Sequence, residues 1–104
     1  MEDRRIIKLL EQWDNTAFEF LIKVFTDEFT RFSKNYFEVE EKYAKNILVN
    51  VVLDIELDVK IGYLNEGNLD IDKQIFAYGR VYLKKIVERR QRRRLKKVSP
   101  DFIR

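Results

Sequence analysis

Phe18, Ile22, Phe25, Phe29, Phe32 and Tyr36 recur at alternating steps of four and three. That spacing puts six large apolar side chains on one seam of a helix, and other helices have to cover it. Phe20, Leu21 and Val24 widen the seam. Thr16-Ala17-Phe18-Glu19 matches a capping box, so the helix is predicted to begin at Thr16 and to run to about Ser33 or Tyr36. A Phe stripe also resembles an aromatic cofactor box. Core packing accounts for it fully, however, and no cofactor is expected.

The remaining segments supply partners for this seam. Residues 2–13 read as a short helix, with Glu2 and Asp3 at its positive end and Ile6, Ile7, Leu10 and Trp13 on one face. Val39, Tyr43, Ala44, Ile47 and Leu48 share a helical face. From Ile47 to Tyr63, however, every odd position is apolar, which is the period of a strand. Read as a helix, this stretch has a core stripe through Val51, Val52, Ile55 and Val59. It then carries a second apolar face at Leu53, Leu57 and Ile61, which needs a central or oligomer-facing position. Leu64-Asn65-Glu66-Gly67-Asn68 is a turn on either reading.

Ile75, Phe76, Gly79, Tyr82, Leu83, Ile86 and Val87 follow a helical stripe, with Asn68 or Asp70 as its cap. Gly79 in mid-helix costs about 1 kcal/mol against Ala, which points to the close approach of a neighbour. Ser99-Pro100 is expected to end this helix. The predicted fold is mainly α, a small bundle of about four helices with a long basic C-terminal helix. It forms a single domain over 1–98, followed by a short tail at 99–104. The alternative is an α+β fold with a β-hairpin at 51–63/74–83.

Function is constrained first by what is missing. The chain has 104 residues, no Cys and no His. Disulfides, thiol chemistry, the commonest metal ligand and the commonest general base are therefore ruled out. Only two serines, Ser33 and Ser99, are present, and neither has such a base to pair with. Asp54, Glu56 and Asp58 would point to one side of a strand and could serve a metal-dependent nuclease. As the solvated face of a half-buried element they need no further role, and neither an enzyme nor a metal site is expected. No apolar run spans a membrane and no signal-peptide core follows MEDRR, so the chain reads as cytoplasmic. Few Gly, a single Pro and abundant Ile, Lys, Arg and Glu resemble thermophile usage.

Charge supplies the positive clue. Lys84 to Lys97 holds nine of the chain's 21 Lys and Arg residues and one acid, Glu88. Residues 84–104 carry ten cations against two acids, whereas residues 1–83 carry 11 against 16. At about 100° per residue, the apolar stripe of the last helix continues on the same face as Arg90, Arg93, Arg94 and Lys97. Unpaired guanidinium groups cannot be buried in a core. The helix therefore projects, pairs with acids, or receives a partner.

Arg89, Arg90, Arg92, Arg93, Arg94, Lys96 and Lys97 are the predicted nucleic-acid-binding residues. They would contact DNA or RNA phosphates with little regard to sequence. No aromatic residue interleaves them, which argues against base stacking by this segment. Pairing within the chain is the rival reading. An antiparallel hairpin of 38–64 and 70–97, centred on Gly67, would bring Arg93, Arg94 and Lys96 to Glu41, Glu40 and Glu38. The third reading is a homo-oligomer or an acidic protein partner.

Overall fold

A computed structural model describes residues 15–65, 67–68 and 70–103, together with Lys8, Leu10 and Gln12; for 96–103 it describes the backbone. Three helices account for the described fold: α1 over Asn15–Phe37, α2 over Glu41–Lys60 and α3 over Ile71–Ile103. The mainly α class holds, with three helices among the described residues instead of about four. The helix expected over 2–13 lies mostly outside the described residues, although Leu10 is helical and fully buried.

The β-hairpin is overturned, since 51–60 lie in α2 and 74–83 in α3. The physical reason is in the stripe of α2. Ala44, Ile47, Leu48, Val51, Val52, Ile55 and Val59 are all buried at helical spacing. Leu53, Leu57 and Ile61 completed the strand-like alternation, but they face outward at 46%, 51% and 68% exposure. The helix leaves an apolar face in solvent instead of forming a strand to hide it.

α1 starts at Asn15, one residue before the expected cap. Its buried line is Ala17, Leu21, Phe25, Phe29 and Ser33, in steps of four. Phe18, Ile22 and Phe32 pack at the margins, and Tyr36 is exposed. Ser33 sits in the core because its hydroxyl donates to the Phe29 carbonyl at 2.8 Å. Phe76 of α3 completes an aromatic cluster. Its ring centroid lies 6.5, 6.0 and 5.1 Å from those of Phe25, Phe29 and Phe32.

Gly79 fixes how closely α3 approaches α1. A Cβ at this position would lie 2.2 Å from Cε1 of Phe29 and 2.6 Å from its Cζ. The Phe29 ring is fully buried, so the space is already occupied. The sequence expectation that Gly79 permits a close neighbour is met, and that neighbour is Phe29.

The turn between α2 and α3 is built by side chains. Gly62 takes a positive φ of 84° just past α2. Asn65 Oδ1 accepts from the Gly67 amide at 2.8 Å, and Asn68 Oδ1 from the Asn65 amide at 2.8 Å. Asp70, one of the two expected caps, accepts from the Lys73 amide at 3.2 Å. The two helices then run antiparallel. Tyr78 donates to Asp58 at 2.5 Å, and one turn on Tyr82 donates to Asp54. These pairs centre on Asn68, one residue from the expected register.

α3 does not stop at Ser99-Pro100 but continues to Ile103. Pro100 forfeits one backbone bond and the helix runs on around that loss, so residues 99–103 extend α3.

Replacing Gly79 by Ala is expected to destabilise the protein although Ala is the better helix former. Overpacking costs typically 1–3 kcal/mol, against about 1 kcal/mol gained in propensity. A Cβ 2.2 Å from a buried ring places the cost in the upper half of that range, so the net loss should be about 1–2 kcal/mol by urea unfolding, and Phe29→Leu in the same chain should recover part of it. Unchanged or raised stability would contradict the packing described.

Candidate nucleic-acid interface

The predicted cations fall into three groups. Arg89, Arg92, Arg93 and Arg94 are exposed on α3. Arg90 is half-buried. Lys96 and Lys97 lie on the α3 backbone, with side chains outside those described.

Arg90 has a structural task. α1 ends at Phe37, and Glu38 follows with a left-handed φ of 54°. The Glu38 and Val39 amides turn back to the carbonyls of Lys34 and Ser33, each at 3.1 Å. The carbonyls of Phe37 and Glu38 accept instead from Arg90 Nη1, at 3.3 and 3.0 Å. A cation thus meets the negative end of the α1 dipole. The sequence places Arg90 on the packing face of α3, and the acceptors it finds there are backbone carbonyls.

The expected ion pairs with the acids near the α1–α2 junction do not form among the described side chains. Glu41 pairs with Lys45 within α2 at 3.1 Å. Glu38, Glu40 and Glu41 line a separate hollow with Asp27, Arg31 and Lys34. Val39 borders both that hollow and the arginine side. The pairing expected for Lys96 lies outside the described side chains.

On the arginine side is a cleft of about 400 Å³, lined by Val39, Tyr43, Ile86, Arg89, Arg90 and Arg93. α2 supplies Tyr43, which is half exposed. α3 supplies Ile86 and the three arginines. Lys42 Nζ lies 5.1 Å from the centroid of the Tyr43 ring. Among the described residues, no carboxylate lines the cleft. The aromatic ring was not legible as part of a basic site, because it stands some fifty positions away in sequence. The hairpin register centred on Asn68 brings it opposite Arg93.

The carboxylates at 54, 56 and 58 do not converge. Asp54 and Asp58 accept from the Tyr82 and Tyr78 hydroxyls. The hydrogen bond to Asp54, together with burial, pushes the Tyr82 hydroxyl up to about 12. Burial and the bond to Asp58 push the Tyr78 hydroxyl higher still. Both phenols therefore stay protonated as donors at neutral pH. Glu56, expected on the solvated face, is buried at 6% exposure. Burial raises its pKa, and the nearby Lys60 charge opposes that shift. Among the described residues, no group of three or more acids is placed to hold a metal ion. Also among these residues, no helix is long and apolar enough to cross a membrane.

The two classes of arginine should separate on substitution. Arg90→Ala is expected to cost about 1 kcal/mol of stability, through the bared carbonyls at the α1 terminus. Arg93→Ala should stay within about 0.5 kcal/mol of wild type. Urea unfolding of both variants checks this, and equal costs would refute the division.

Comparison of the chain with protein-family models, with curated proteins and with solved structures finds no match.

Proposed function

We propose that the protein binds nucleic acid through the cationic segment Arg89–Lys97 of α3, by phosphate contacts that are largely independent of sequence. The carrying observation is the exposure of α3 beyond its last anchor. After Arg90 every residue from Gln91 to Leu95 is exposed, and the run Arg89–Lys97 contains seven cations and no acid. Arginine forks suit phosphate oxygens, and release of counterions from the strand drives binding.

A salt series with a random duplex and a single strand tests this. Seven phosphate contacts set a limit of about −6 on the log–log slope for duplex. Replacing Arg92, Arg93 and Arg94 together by Ala should weaken binding and make that slope shallower by about 3. Undetectable binding at low salt, or full affinity in the triple variant, would sink the reading.

A second reading, self-association, rests on the face of α2 formed by Leu53, Leu57 and Ile61. These side chains lie one turn apart, and each is about half exposed or more. If a second copy covers them, sedimentation should show a mass that rises with concentration. Leu53→Lys with Leu57→Lys should remove that rise while leaving the unfolding midpoint nearly unchanged. A constant wild-type mass would discard this reading.

A further inference from the structure

The cleft beside Arg90 adds something a basic helix alone lacks, an aromatic ring among the cations. From the geometry we infer that it takes one unstacked base of a single strand against Tyr43, with Arg89 and Arg93 on the adjoining phosphates. This inference rests on the phosphate-binding reading above and narrows it to single-stranded nucleic acid.

Three features of the cleft carry the argument. First, its charge among the described residues has one sign: three arginines line it and no acid does, with Lys42 beside the Tyr43 ring. Second, the cations differ in their freedom. Arg90 is held by the carbonyls of Phe37 and Glu38, while Arg89 and Arg93 are exposed one helical turn apart on α3. A fixed positive charge is thus flanked by two forks free to turn toward an anion. Third, the uncharged part of the lining is Val39, Ile86 and a half-exposed phenol ring. Carboxylate side chains of an acidic partner would use the arginines and leave this apolar and aromatic surface unused. A nucleotide uses both, its phosphate on the guanidinium groups and its base on the ring.

The volume, about 400 Å³, lies in the range of small-ligand pockets. In a duplex the bases are stacked inside and cannot reach the ring, whereas a single strand can present one without first breaking a pair. Past the cleft, α3 continues with Arg94, Lys96 and Lys97, so the strand that seats a base here meets further cations along the same helix.

The test uses the full chain at low salt and compares an oligothymidylate, an abasic strand of the same length and a duplex, by fluorescence anisotropy. Stacking of one base on an aromatic side chain corresponds to about 5- to 150-fold in affinity. The wild type is expected to prefer the base-bearing strand over the abasic strand by a factor in that range. Tyr43→Leu should abolish the preference and leave duplex affinity unchanged, whereas Tyr43→Trp should keep it. Equal wild-type affinity for the two strands overturns the base site but leaves the phosphate reading standing. Absence of binding to every strand overturns both. Displacement of the strand by free thymidine monophosphate at equal nucleotide concentration overturns the strand as ligand in favour of a mononucleotide. Displacement by an acidic tyrosine-containing peptide at equal concentration overturns it in favour of a protein partner.

Discussion

The contact of the Phe29 ring with the α3 backbone at Gly79 sets the spacing of the bundle. No side chain separates the two helices at that point, because a Cβ would lie 2.2 Å from the ring. Close approach there lets Phe76 reach Phe25, Phe29 and Phe32, and brings α3 near enough for Arg90 to reach the end of α1. α1 and α3 run in the same direction, with α2 antiparallel to both. α1 ends beside Arg90, and α3 continues for 13 more residues to Ile103, about 20 Å at helical rise. The cationic arm is the part of α3 that outruns the helix it packs against.

The change from an apolar to a cationic face along α3 presents a problem of charge, and Arg90 resolves it. It is the first cation on the packing stripe after Val87, at the level where the core ends. A bare guanidinium group there would lose hydration without compensation. The carbonyls left over at the α1 terminus have the matching need, since they have no amide of their own helix to accept from. Each solves the other's deficit, and no acid is consumed. The acids at 38, 40 and 41 line the hollow that shares Val39 with the arginine cleft, and none of the three lines that cleft.

Much of this fold was legible in the sequence because it depends on local periodicity. The centre of the Phe seam of α1 at Phe25 and Phe29, the stripe from Ile75 to Val87, the turn at 64–68 and the Asp70 cap are each written within a few residues. What the sequence hid depends on register or on competition between elements. The odd-numbered apolar positions from Ile47 to Tyr63 fit a strand as well as a helix. The α1 seam decides between them, because it needs a helical partner. Asp54 and Asp58 look like a solvated face until the hairpin register sets Tyr82 and Tyr78 beside them. Tyr43 looks like an ordinary helix residue until the same register brings it to the arginines. The basic site was recognised from charge density, and its aromatic member could only come from the fold.

That register ties the interior of the hairpin to the candidate site. Tyr78 to Asp58 and Tyr82 to Asp54 are successive rungs of one antiparallel ladder. Its next places along α3 run through Ile86 and Arg89 to Arg93, and along α2 toward Tyr43. A slip of one helical turn would move Tyr43 away from Arg93 and Arg90 away from its carbonyls. It would re-pair one tyrosine with the other aspartate and leave the remaining half-buried carboxylate without a tyrosine donor. The ladder thus penalises a shift that would dismantle the cleft. Asp54 and Asp58 have a structural role as hydrogen-bond acceptors between the two helices. They hold α2 and α3 in the one register that places an aromatic ring among arginines.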